Sequence, residues 1–193
     1  MDIVFATHNA HKREEVEAIM REVWPEIRLV EPQGEAPDED GQSFRDNALI
    51  KARVAYSDSG LPAIADDSGI CVDALNGEPG IDSAHYSGER DDTKNLELVL
   101  ERMAGRTDRA AAFVCVAAVV DQFGEDAVEC HWPGEVATSR AGSGGFGYDP
   151  IFRPDGFEMS AAELSAEEKN AISHRGQAFR ALAQLLKGRY ESV

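Results

Sequence analysis

Basic residues are scarce in this chain. Its 193 residues carry 19 Lys plus Arg against 36 Asp plus Glu, a formal charge of −17, and only five of those cations are lysine. Binding along nucleic acid relies on Lys and Arg displacing counterions from phosphates, so a general nucleic-acid coat is excluded. Any anionic ligand must be held by a small local cluster of cations. Cysteine is scarcer still. Cys71, Cys115 and Cys130 are odd in number and too widely spaced for a CxxC or zinc-ribbon site, which predicts small apolar residues in a reducing compartment. Long hydrophobic runs are missing as well: the longest, Ala110 to Val120, is bounded by Arg109 and Asp121 and falls short of the roughly 20 residues that span a bilayer. The first residues lack the basic start and apolar centre of a secretory signal. The expected address is cytoplasmic, with no membrane and no nucleic-acid partner. The acidic, Lys-poor surface fits a salt-rich cytoplasm or a solubilising bias.

Enough apolar residue is present, 42% of the chain, to bury a core of ordinary size. No long linker, low-complexity tract or internal repeat divides the sequence, which predicts a single domain over residues 1–193, built as one body or two closely packed lobes. Residues 2–6 read as a short buried strand and Lys12 to Glu22 as an amphipathic helix. Ile27 to Val30 is a second apolar piece, followed by the acidic Pro/Gly loop EPQGEAPDEDG. A helix capped by Ser43 runs to Gly60. LPAIA reads as a strand ending at DDSG, with GICVDAL extended beyond it, and Asp92 to Ala104 as a helix. AAAFVCVAAVV is too continuous for an edge strand and predicts a central one covered on both faces. VECHWPGEVATS suggests an extended pair, AGSGGFGYDPIF a glycine loop, and two helices close the chain, the first with Ser165 and Glu168 as a capping box. The sum is an α/β fold with a mixed central sheet and flanking helices.

Five segments have residue types suited to chemistry. ATHNAHK, Ala6 to Lys12, lies where a strand hands over to a helix; free backbone donors there suit a phosphate, and Thr7, Asn9 and Lys12 add side-chain donors. Local pattern alone favours an ordinary strand-to-helix connection with Asn9 as its cap. His8 and His11 have no other obvious metal ligand near them and read as solvent-exposed. ADDSG places Asp66 and Asp67 where the chain turns into a ligand crevice. Successive strand residues face opposite ways, so the two carboxylates should have different jobs, one structural and one catalytic, and oxygen ligands of this kind suit Mg²⁺. Lys51 follows Asn47 by four residues and shares its side of the helix; Glu39 and Asp40 in the preceding loop could add a metal ligand. Gly142, Gly144 and Gly147 match a dinucleotide fingerprint by count, but Pro150, Pro154 and Gly156 forbid the long helix that motif requires, and an NAD site is excluded. What remains is a glycine loop around Phe146 on which a flat ring could stack. Lys169, His174 and Arg175 cluster in KNAISHRG, notable in a chain so short of cations.

Taken in order, TxNxxK at Thr7 to Lys12, NALIKA at Asn47 to Ala52, ADDSG with PGIDSAHYSG, GGFGYDPIF and EEKNAISHRG make the chain resemble the inosine triphosphate pyrophosphatase family, nearly end to end. The resemblance implies an α/β fold of two lobes with a deep substrate cleft, usually in a homodimer. It implies hydrolysis of non-standard purine nucleoside triphosphates (ITP, dITP, XTP) between the α and β phosphates, with Mg²⁺ required. By matching position, Thr7, His8, Asn9 and Lys12 would hold the triphosphate, Asp67 would be the metal-linked general base, Ser68 would touch substrate and Lys51 would support the phosphates. Phe146, Gly147, Tyr148, Asp149, Lys169, His174 and Arg175 would surround the nucleoside, and Glu39, flanked by Asp38 and Asp40, would be the second metal ligand. Related nucleotide pyrophosphatases acting on other modified nucleotides, and a nucleotide-binding regulator without turnover, are the competing readings.

Overall fold

A computed structural model describes residues 1–192, apart from the side chains of Ala10 and His11. Six strands, β1 (Asp2–Phe5), β2 (Arg28–Val30), β3 (Ala63–Val72), β4 (Ala110–Asp121), β5 (Gly124–Val136) and β6 (Phe152–Pro154), form one sheet in the order β2-β1-β3-β4-β5-β6. β1 pairs in parallel with β2 and with β3, whereas β5 and β6 are antiparallel. The sheet is therefore mixed, as expected. Five helices accompany it: α1 (Ala10–Arg21), α2 (Phe44–Ser59), α3 (Asp92–Arg102), α4 (Ala166–Ile172) and α5 (His174–Glu191).

Two compact units are distinguishable, and the chain passes between them within β3, β4 and β5 and at the start of α5. The first comprises Met1–Asp67, Cys115–Cys130 and the chain from Arg175 onward. Here the alternation of β4 explains its unbroken apolar sequence. Cys115, Ala117 and Val119 join a core with Val16, Ile19 and Met20 of α1 and Phe179, Leu182 and Leu186 of α5, while Val116 and Ala118 meet Ala48 and Leu49 of α2. Successive side chains point to opposite faces, so a strand with helices on both sides needs apolar residues at every position. Phe5 anchors the first core edge-on against Phe179, with ring centroids 5.5 Å apart.

Ser68–Val114 and His131–His174 make up the second unit. Its core joins Ile70 and Val72 of β3 and Phe113 of β4 to Trp132 of β5, Phe152 of β6 and the apolar stripe Leu96, Val99 and Met103 of α3. Cys71, Cys115 and Cys130 are not joined in disulfides.

Three expectations change in detail. DDSG is not a turn closing a strand, because β3 continues through it to Val72; the two carboxylates sit mid-strand, where polar side chains have partners on both faces. VECHWPGEV is part of one long strand rather than a pair, since Pro133 needs no donor of its own where its carbonyl accepts the Asp155 N–H at 3.0 Å. α1 begins at Ala10, two residues earlier than its apolar periodicity suggests, because Asn9 caps it through the Lys12 N–H.

Candidate active site

The first unit gathers most of the cations found in the motifs. β1 ends at Phe5 and α1 begins at Ala10, so Thr7 to Asn9 form the strand-to-helix connection. Thr7 Oγ1 accepts the Asn9 N–H at 3.3 Å, and Asn9 Oδ1 accepts that of Lys12 at 3.0 Å. The exposed His8 ring meets the Gly34 carbonyl at 3.1 Å, tying this connection to the acidic loop. Lys12 Nζ lies 2.6 Å from Asp66 Oδ1, and Arg175 Nε lies 3.5 Å from Asp66 Oδ2. Asp66 is buried, at 3% exposure. Burial alone would raise its pKa, but Lys12, Arg175 and Lys51 outweigh that effect and hold the carboxyl well below the usual range. Burial, partly offset by Asp66, pushes the Lys12 ammonium down.

One residue later the environment inverts. β3 turns Asp66 toward α1 and α5 and Asp67 toward α2, where Lys51 Nζ is 3.7 Å from Asp67 Oδ1 and Asn47 Nδ2 donates to Asp67 Oδ2 at 3.1 Å. Lys51 also donates to Glu39 Oε2 at 2.8 Å. Among the three consecutive acids of that loop, Glu39 is the one drawn to Lys51, which singles it out from Asp38 and Asp40. Burial, opposed by Lys51 and reinforced by Glu39, pushes the Asp67 carboxyl up to about 6. Two adjacent carboxylates thus have opposite electrostatic fates. Asp66 is held charged among cations, and Asp67 keeps its proton to higher pH than an ordinary carboxylate.

Asp67 and Glu39 supply hard oxygen donors on either side of one ammonium. Among the described residues no three His, Cys, Asp or Glu side chains converge as a closed metal cage. Mg²⁺ does not ask for one, since it commonly takes one or two carboxylates and completes its shell with water and substrate phosphates. The donor set fits that ion.

The second unit contains the remaining motif residues. The loop preceding a 3₁₀ turn at Asp149–Ile151 presents Phe146, 55% exposed. Asp149 braces it from inside: its carboxylate accepts the Phe146 N–H at 2.8 Å and an ammonium hydrogen bond from Lys169 at 2.5 Å. The Lys169 ammonium in turn lies 4.8 Å from the Phe146 ring centroid. The Gly147 N–H donates to Asp92 at the start of α3. The loop, with Asp92, Leu96 and Arg140, lines a pocket of about 470 Å³, a volume suited to a small ligand. Tyr148 is oriented inward, donating to the Ser83 carbonyl at 2.7 Å, and Ser68 is half-buried in β3. His174 opens α5, buried and stacked parallel on Phe113 at 4.8 Å, with Trp132 beyond at 6.1 Å. Sequence reasoning missed Phe113, Trp132 and Asp92, whose polar or aromatic character has no local motif, and saw Asn47 only as a spacing marker for Lys51.

The Ham1 family profile matches residues 3–185. This chain belongs to the Ham1 family. Among curated relatives, it is 48% identical to a protein of Leifsonia xyli named dITP/XTP pyrophosphatase, over 96% of this chain and 95% of that one. Among solved structures, the Ham1 protein of Staphylococcus aureus superposes with a TM-score of 0.88 at 36% identity, covering 98% of this chain and 100% of that one. The Ham1 protein of Coxiella burnetii gives 0.86 at 40% identity, covering 97% and 99%. A mixed sheet with flanking helices is thus the Ham1 fold, and these matches run the length of the motifs read from sequence.

Proposed function

We propose that this Ham1-family chain hydrolyses non-standard purine nucleoside triphosphates, dITP, ITP and XTP, to the monophosphate and pyrophosphate. The observation that carries the reading is the division of labour at Asp66–Asp67, where one carboxylate organises Lys12 and Arg175 and its neighbour stands ready to accept a proton. A triphosphate needs concentrated positive charge, and a chain at −17 provides it only locally. Thr7, His8, Asn9 and Lys12 bind the phosphates, together with Lys51. Asp67 takes a proton from the attacking water; a pKa displaced toward neutrality suits that task. Asp67 and Glu39 would hold Mg²⁺, which would neutralise phosphate charge as the leaving group departs.

The purine stacks against Phe146, with Gly147, Tyr148, Asp149 and Lys169 shaping that side and Ser68 reaching the substrate from the residue after Asp67. His174 and Arg175, consecutive in the chain, discriminate at the 6-position. A 6-oxo group accepts from donors there, whereas a 6-amino group leaves them unpaired. A cytoplasmic homodimer that binds neither membrane nor nucleic acid completes the proposal. No described helix is long and apolar enough to cross a membrane.

A substrate panel with Mg²⁺ tests the reading. Expected is release of pyrophosphate from ITP, dITP and XTP with kcat/KM about 100-fold or more above that for ATP, and lower values for GTP and dUTP. Equal rates across the panel, release of orthophosphate, or binding without turnover would each overturn it. In the same assay Arg175→Ala is expected to compress the ITP-to-ATP ratio about tenfold, the worth of one well-made hydrogen bond; an unchanged ratio removes Arg175 from base reading.

A further inference from the structure

The bridges from Lys51 and from Asn47 of α2 to the acidic loop and Asp67 differ in kind. Lys51 and Asn47 lie one helical turn apart on the same side, and each reaches both the acidic loop and Asp67. Lys51 does so with a flexible ammonium. Asn47 uses a planar amide, buried at 4% exposure, whose Oδ1 accepts the Gly41 N–H at 2.9 Å while Nδ2 donates to Asp67 Oδ2 at 3.1 Å. These partners settle the orientation of the amide, because the flipped form would set an NH₂ against the Gly41 N–H and an oxygen against a carboxylate. The loop comes so close that a Cβ on Gly41 would lie 2.6 Å from Asn47 Oδ1 and 2.6 Å from Asp46 Cβ.

We propose that Asn47 is a positioning residue that locks the loop carrying Glu39 to the Asp67 carboxylate, pre-assembling the pair of oxygens that receives the divalent cation. This rests on the functional reading above. Engaging Asp67 Oδ2 leaves Oδ1, which the Lys51 ammonium faces at 3.7 Å, as the oxygen to meet metal or water, and engaging Gly41 places Glu39 two residues along the loop. A lysine drawn toward incoming phosphate can leave its carboxylates; an amide with both ends satisfied stays in place. The arrangement is therefore kept while the charges around it are rearranged by substrate.

Asn47→Leu tests this, since it keeps most of the volume and adds no charge beside the cation but removes both the acceptor for Gly41 and the donor to Asp67. Mg²⁺ binding to the nucleotide-free protein, measured by titration calorimetry with the metal alone, should weaken about 10- to 100-fold, the usual consequence of losing a partner of a metal ligand. With ITP, kcat should fall by a similar factor with little change in KM. Gly41→Ala provides a second arm with the Asn47 amide itself intact: the added methyl pushes the loop away, and Mg²⁺ affinity should drop while circular dichroism stays native. Folded variants with wild-type Mg²⁺ affinity, or a defect confined to nucleotide KM, would overturn the assignment. Wild-type protein that binds Mg²⁺ but fails to hydrolyse ITP would instead defeat the functional reading, leaving the calorimetry to judge Asn47.

Discussion

Asp67→Asn is expected to lower kcat for ITP by about 10³-fold while nucleotide binding is retained. General-base catalysis typically contributes about 10²- to 10⁴-fold, and the asparagine oxygen can still accept from Asn47 while Lys51 keeps Glu39. The loss will not be a folding defect. A carboxylate whose folded pKa lies above its unfolded value destabilises the native state once pH exceeds that unfolded value, in full above about 6. A neutral amide removes that cost, so the metal-free variant should melt at or above the wild-type temperature. Quench-flow turnover and a melting curve, both at pH 7.5 (roughly neutral, above the Asp67 pKa), check the two halves. Wild-type-like turnover would take Asp67 out of the mechanism.

Asp66→Asn should have the opposite profile. Asp66 is the buried counter-charge for Lys12 and Arg175, whose side chains are 25% and 6% exposed. Neutralising one member of a buried ionic cluster costs on the order of 3–5 kcal/mol, which for a chain of this size lowers the melting temperature by on the order of 10 °C. The cations that remain repel one another and should accept an anion in compensation. Added pyrophosphate is therefore expected to raise the melting temperature of the variant more than that of the wild type. Equal melting temperatures without ligand would show that Lys12 and Arg175 do not depend on Asp66.

Much of the site was legible because its motifs are local. Helix starts announced themselves at Ser43 and Ser165, and Asn9 was readable as a cap although its helix begins two residues before the apolar pattern; all three cap helices, since capping is a contact between residues two or three apart. Ser160 and Glu163 form a second capping box that passed unnoticed, because only a single 3₁₀ turn follows it. ADDSG looked like a turn for an equally physical reason. Consecutive polar residues inside a strand make sense only when each face has a partner supplied from elsewhere in the chain.

Chain order and residue type alone determined the α/β class, the family, the acidic surface with its few focused cations, and the expectation that Asp66 and Asp67 would differ, because strand geometry makes neighbours face opposite ways. Only the tertiary structure decided which cations each of them faces. That depended on α1 and α5 bringing Lys12 and Arg175 to one face of β3 and on α2 bringing Asn47 and Lys51 to the other, contacts spanning tens to more than a hundred residues of sequence. The same holds for Phe113 and Trp132 behind His174: aromatic residues in a strand read simply as core until packing shows which ring lies against them.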